Sequence, residues 1–293
     1  MTTATPQTVL VTGATGATGS AVLRALEAKG VAVRAMVRRG GDAGRLAGSS
    51  AEVVVADFDD AGSLRNALRG VRSAYLVTPS SPEAAARQTR FAELAAEAGV
   101  GHVVKLSQFA ADEASPVRFL RYHAAVERRI REMGVGHTFL RPNLFFQGFL
   151  AFRSTIATQG RIFAPIGDAR VSAVDVRDIA AVAAAVLTEP GHLGKTYTIT
   201  GPAAVTHAEI AQAISAAIGR EVAFVDVTPE AFAAALKGVG VPAWQAGGLV
   251  EDYAHYARGE AAYVFPTVRD LTGSEPRDVT RFARDHAGAF APA

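Results

Sequence analysis

The segment Thr8-Val-Leu-Val-Thr-Gly-Ala-Thr-Gly-Ala-Thr-Gly-Ser20 narrows the possible folds more than any other part of the chain. Val9 to Val11 is an apolar run of the length a buried strand needs. Glycines then recur every three residues, at Gly13, Gly16 and Gly19. A helical pattern follows, with Val22, Leu23 and Leu26 on one side, Arg24, Glu27 and Lys29 toward solvent, and Gly30 as the stop. Strand, glycine turn and helix in this order form the entry to a dinucleotide-binding fold. Gly13 permits the tight turn, Gly16 lets the backbone approach a pyrophosphate, and Gly19 lets the helix lie close on the sheet. Free N–H groups at the helix start then face the phosphates.

A second strand, Val31 to Val37, runs on as Ala35-Met-Val-Arg-Arg-Gly-Gly41. An NAD site carries Asp or Glu here to hold the ribose 2′-hydroxyl, and this chain has neither. Arg38 and Arg39 stand where a 2′-phosphate would lie, and a guanidinium suits a phosphate fork. The expected cofactor is therefore NADPH/NADP rather than NADH. The missing acid also speaks against S-adenosylmethionine.

Strands and helices alternate six times over the first 140 residues or so, which predicts an α/β chain with a doubly wound parallel Rossmann sheet. Glu52 to Ala56 is read as a third buried strand, Ser73 to Val77 as the fourth, His102 to Leu106 as the fifth and His137 to Arg141 as the sixth. Ligands of such sheets bind past the carboxyl ends of the strands, where Gly13, Arg38, Asp57, Thr78, Ser107, Pro142 and Asn143 fall. From Leu144 the texture changes, with Phe145, Phe146 and Phe149 crowded together. The expected organisation is an NADP-binding domain over 1–150 and a smaller, mainly substrate-binding α+β lobe over 151–293. Residues 195–200 are expected to return to the main sheet. Thr206 with Glu209 three residues on is the signature of a capped helix.

Composition limits the function classes. A chain of 293 residues, 49% hydrophobic and 20% charged, is an ordinary globular protein with one sizeable domain and an appended lobe. A net charge of +2 without a basic cluster predicts no nucleic acid partner. With no cysteine, thiolate catalysis and cysteine metal sites are excluded. The seven histidines lack metal-ligand spacing, so no metal is expected. The N-terminus shows no signal-peptide pattern and no apolar run is long enough for a membrane span, so the expected location is cytoplasmic.

These residues together resemble the NmrA-like family of atypical short-chain dehydrogenase/reductases. Gly13-Ala-Thr-Gly-Ala-Thr-Gly19 is similar to its glycine motif, and Arg38 to its NADP-selecting position. Asp57-Phe-Asp-Asp60 resembles its stretch after the third strand, and Thr138-Phe-Leu-Arg-Pro-Asn143 its sixth-strand signature. Val174-Asp-Val-Arg-Asp-Ile179 and Tyr197-Thr-Ile-Thr-Gly201 resemble its markers in the second lobe. The resemblance spans roughly 8–290. It implies cofactor contacts from Gly13, Thr15, Gly16, Ala17, Thr18, Gly19, Arg38, Asp57, Phe58, Thr78, His123, Pro142 and Asn143. It also implies reduction of quinones or ketones in many members, and cofactor sensing without turnover in some.

Typical short-chain reductases carry Tyr-x-x-x-Lys on the helix after the fifth strand, both side chains on one face, and the Tyr protonates the carbonyl oxygen. None of the six tyrosines here has Lys four residues on. Counting back from Gly134, His123 matches the Lys position and Phe119 the Tyr position. The catalytic candidates are therefore Ser107, as a donor to a developing oxyanion, and His123, which either holds the nicotinamide ribose or relays a proton. A quinone tolerates such a site, because its reduction gives a delocalised anion that needs little acid help. Phe109, Asn143, Phe145, Phe146, Phe149, Trp244 and Tyr253 are the candidates for an aromatic substrate pocket. The expected function is NADPH-dependent hydride transfer to a ketone or quinone of a bulky aromatic small molecule, by a monomer or homodimer. An NADP(H)-binding sensor is the alternative.

Overall fold

The computed structural model describes residues 8–291. The expectation about a signal peptide concerns residues 1–7, which lie outside that range. In chain order the first elements are β1 (Thr8–Val11), α1 (Ala17–Ala28), β2 (Val33–Val37), β3 (Glu52–Val55), α2 (Ala61–Leu68), β4 (Val71–Leu76), α3 (Ala84–Glu97), β5 (His102–Leu106), α4 (Arg118–Glu132) and β6 (His137–Pro142). There follow α5 (Arg153–Gln159), β7 (Arg161–Ala164), α6 (Val176–Thr188), β8 (Thr196–Ile199), α7 (His207–Ile218), β9 (Ala223–Asp226), α8 (Pro229–Gly238), α9 (Ala243–Ala257), α10 (Thr267–Thr272), α11 (Val279–Asp285) and α12 (Ala287–Phe290). Short 3₁₀ segments cover Gly40–Leu46 and Phe146–Phe152.

Seven strands form one sheet in the order β3-β2-β1-β4-β5-β6-β8. β1 to β6 pair in parallel. The order reverses direction between β1 and β4, which opens a crevice beyond their carboxyl ends. Each crossover helix buries its apolar face on the sheet: Val22, Leu23 and Leu26 of α1 are nearly inaccessible. Helix ends follow local chemistry. Asp60 caps α2 by accepting from the amides of Gly62 and Ser63, and Thr206 with Glu209 forms a capping box on α7.

One strand departs from its expected environment. Glu52 to Ala56 reads as buried, yet β3 is the edge strand, and Val53 and Val55 are 41% and 52% exposed. An apolar run carries the same letters on an edge as in the middle of a sheet.

The chain divides into two compact units that interleave along the sequence. Among the described residues, one comprises 8–108, 122–141 and 179–197; the other comprises 109–121, 142–178 and 198–291. The core of the first is built on Leu10, Leu64, Leu68, Leu76, Phe91 and Phe139. The second holds a small parallel sheet of β7 and β9 and an aromatic core around Phe146, Phe149, Phe282 and Phe290. The expected return of the segment around 195–200 to the main sheet is β8.

Candidate functional site

In the first unit, the carboxyl ends of β1, β2, β4 and β5 present a backbone cradle and a buried charged network. The cradle starts at Thr12. Its hydroxyl lies 3.1 and 2.9 Å from the carbonyls of Tyr75 and Val77 and accepts the Val77 amide at 2.8 Å, tying the turn to β4. Gly13 has φ +58°, and a Cβ there would lie 2.8 Å from Val77 Cγ1. A Cβ on Gly19 would overlap the Gly13 carbonyl oxygen. Gly16 is exposed and stands at the N-cap of α1 with no side-chain cap, so nothing of its own satisfies the amides behind it. Thr15 is half-buried, Ala17 exposed and Thr18 buried. A turn this empty, with bare amides at a helix start, fits the pyrophosphate of a dinucleotide.

Arg38 and Arg39 follow β2 directly, and both are exposed. The structure adds a third cation that sequence reasoning passed over. Arg45, in the 3₁₀ segment after β2, donates to the Thr15 carbonyl at 3.0 Å, which fixes a guanidinium on the glycine turn itself. Its signal was only a further arginine seven residues beyond Arg38.

After β3, the Asp57 carboxylate accepts the Asp59 amide at 2.9 Å, closing its own turn, and Phe58 leans on the core with its ring 5.8 Å from Phe91. Thr78, after β4, accepts from the Gln88 amide at 2.7 Å.

Beyond β5 lies the network. Ser107 is buried, and its hydroxyl donates to Glu127 Oε1 at 2.6 Å, so this proton is committed to a carboxylate and is not offered to an oxyanion. Arg141 clamps the same carboxylate from β6 through Nε and Nη2 at 2.9 and 2.6 Å, and Arg131 adds a contact at 3.2 Å. Burial works against a charge on Glu127, but the bonds from Arg141 and Ser107 outweigh it and hold the carboxyl below its ordinary range. Lys105, fully buried on β5, places Nζ 2.7 Å from His123 Nδ1 and 3.2 Å from the Leu106 carbonyl. Burial pushes the Lys105 ammonium down to about 7, with Glu127 opposing and Arg141 reinforcing the shift. Burial, then the charges of Lys105 and Arg141, keep His123 neutral well below the usual histidine range. Lys105, Glu127 and Arg141 were not among the sequence candidates. Glu127 stands four residues after His123 on α4, one turn along the same face, which was the available signal.

The second unit holds the remaining candidates. Asn143 is 3% exposed and fully engaged. Its Nδ2 donates to Ser172 Oγ at 2.8 Å and to the Ala261 carbonyl at 2.9 Å, and its Oδ1 accepts the Leu144 amide at 2.8 Å. Its side chain is thus a clip between segments rather than a free contact for cofactor or substrate. The Pro142 carbonyl accepts the Phe109 amide at 2.9 Å. Phe146 and Phe149 are core residues, stacked on Phe282 at 5.3 Å and set edge-on to His207 at 5.0 Å, and so leave no face for a substrate. Tyr253 is likewise buried, among Phe232, Tyr256 and His207. Their crowding in sequence reflects the unit's own core. Phe109 is nearly buried, edge-on to Phe265 at 6.4 Å. Phe145 is half-buried, as is Trp244, whose ring lies 5.4 Å from Phe119 and 5.7 Å from the Arg118 guanidinium carbon. The aromatics left most open, Tyr263 and Phe265 at 69% and 39% exposure, lie in a segment not singled out from the sequence. Among the described residues no three metal-ligating side chains converge, and no helix is long and apolar enough to cross a membrane.

Comparison with known proteins places this geometry in a family. The profile described as the NmrA-like family matches residues 5–268. The NAD(P)H azoreductase of Xenophilus azovorans is 36% identical over 285 residues, covering 97% of this chain and all of that protein. The NADPH-dependent quinone oxidoreductase of Escherichia coli, solved in complex with NADPH, superposes with a TM-score of 0.85 at 28% identity, covering 94% of this chain and 99% of that one. The Citrobacter triphenylmethane reductase, solved with NADP(H), gives 0.84 at 30% identity over 95% of this chain and 99% of that one. By profile match and by overall likeness, this chain belongs to the NmrA-like family.

Proposed function

We propose that this protein is a cytoplasmic NADPH-dependent reductase that passes hydride to a flat aromatic acceptor, a quinone, azo compound or ketone. The observation that carries this is the glycine turn, which admits no side chain at Gly13 or Gly19, with three arginines, Arg38, Arg39 and Arg45, in the neighbouring segment. The Ala17 and Thr18 amides at the start of α1 hold the pyrophosphate, and the guanidinium groups select the extra phosphate of NADPH. The cofactor, when bound, supplies the hydride. The chain supplies alignment and one proton, and in this reading His123 Nε2–H is its source. Ser107, its hydroxyl donating to the Glu127 carboxylate, orders the end of β5 rather than acting on substrate. The azoreductase, quinone oxidoreductase and triphenylmethane reductase relatives support an aromatic acceptor.

The missing Tyr-x-x-x-Lys pair favours a second reading, a nucleotide sensor without turnover. Stopped-flow loss of NADPH absorbance against a panel of quinones, azo dyes and polycyclic ketones separates the two. Oxidation with at least one acceptor class is expected. Tight NADPH binding with no oxidation by any of them would leave the sensor.

A further inference from the structure

The Lys105–His123 pair is a buried contact that neither the sequence candidates nor the relatives' names assign. Both side chains are at most 8% exposed, and the distance from Nζ to Nδ1 is 2.7 Å. An ammonium can only donate, so a charged Lys105 requires a bare Nδ1 on His123 and leaves the ring proton on Nε2. The helix position that carries Lys in typical short-chain reductases carries His123 here, and the lysine approaches from the strand instead.

We propose that Lys105 is the positioning partner of His123, holding its imidazole in the Nε2–H form and passing a proton to Nδ1 as the Nε2 proton leaves. In that step the Nε2–H bond breaks as the proton joins the anionic product. A Lys105 N–H bond breaks as the Nδ1–H bond forms, and no electrons pass through either side chain. Lys105 is left as a neutral amine. One proton taken up from bulk solvent then joins Nε2 while the Nδ1 proton returns to Lys105 and restores its ammonium, so each turnover consumes one solvent proton. The groups around Lys105 suit the task. His123 and Glu127 face it from α4 and Arg141 from β6, while its in-register neighbours on β4 and β6, Leu76 and Phe139, are apolar. A donor held at about 7 is poised for exchange at neutral pH. The pair's geometry stands alone; its catalytic use rests on the proposed reductase reading.

The first test uses the resting protein without cofactor or acceptor, so its result is independent of turnover. Long-range ¹H–¹⁵N correlation of labelled protein at pH 6 is expected to show Nδ1 as an acceptor-type nitrogen and Nε2 protonated. In Lys105→Met the proton affinity of His123 is expected to rise at least about tenfold, one pKa unit. Lys105→Gln, whose amide still donates, is expected to keep Nδ1 bare. Finding Nδ1 protonated in the wild type, or an affinity changed less than about twofold in Lys105→Met, would overturn the pairing. In quinone reduction the wild-type kcat is expected to fall as pH rises above about 7. Lys105→Met is expected to lose about tenfold in kcat at pH 6, lose that alkaline limb, and keep its KM. A variant retaining both rate and limb would overturn the proton-passing role. If wild type turns over no acceptor, the reductase reading fails, while the nitrogen signals still decide whether Lys105 holds the tautomer.

Discussion

Two stretches of the same sheet edge are built by opposite means. At β1 and β2 the cradle is backbone: glycines, bare amides and the Thr12 hydroxyl tied to β4. Side chains enter only as arginines at the rim. At β5 and β6 the backbone is ordinary, and everything depends on a buried set of charges, Lys105 with His123 and Glu127 with Ser107 and Arg141. A backbone cradle needs absent side chains and tolerates no additions. A charged network needs every member, since removing one leaves the others desolvated and unpaired. The first is suited to a ligand part shared by many enzymes, the second to chemistry that differs between them.

This contrast can be broken by experiment. Glu127→Ala should cost about 3–5 kcal/mol in urea unfolding, because Arg141 is left in place without its carboxylate. The Kd for NADPH should move less than about threefold; a tenfold loss would show that the two stretches are not separate. Gly19→Ala should do the reverse, weakening NADPH by roughly tenfold to a hundredfold in calorimetric titration, the size of a 1–3 kcal/mol overpacking strain. Arg38→Glu should weaken NADPH by about tenfold, a charge-assisted contact's worth, and leave NADH nearly unchanged; equal weakening of both would sink the phosphate assignment. The network should also show in acid. Glu127 has a folded pKa below its ordinary 4.5, so its contribution is present above that value and is lost as pH falls through the folded one. Wild-type Tm should therefore fall more steeply below about pH 4.5 than that of Glu127→Gln. The smallest effect is expected for Asp60→Ala, about 1 kcal/mol from a lost cap, with neither NADPH binding nor the His123 signals moving.

The same contrast explains what could be read from the letters. The cradle is local: strand, three glycines, helix and the arginines after β2 lie within 40 residues, and glycine spacing states a backbone requirement directly. The alternation of strands and helices is likewise local, and the parallel sheet follows from it. The network joins 105, 107, 123, 127 and 141, and no spacing rule reveals that a strand lysine meets a helix histidine. Burial is hidden for the same reason. Val53 and Val55 are apolar yet sit on an edge, and Asn143, placed after β6 like a ligand contact, spends its amide on Ser172 and Ala261. The phenylalanines at 146 and 149 signalled a core rather than a pocket, because an aromatic run announces burial but not what it is buried against.

The Asn143 clip also bears on assembly. Its two amide hydrogens find acceptors 29 and 118 residues downstream, at Ser172 and Ala261. A chain emerging from the ribosome cannot close that loop until the segment holding Ala261 has been made. The second unit is thus obliged to mature late, and a polypeptide stopped shortly before residue 261 would carry a buried amide with an unmet donor where the finished protein has a fastening.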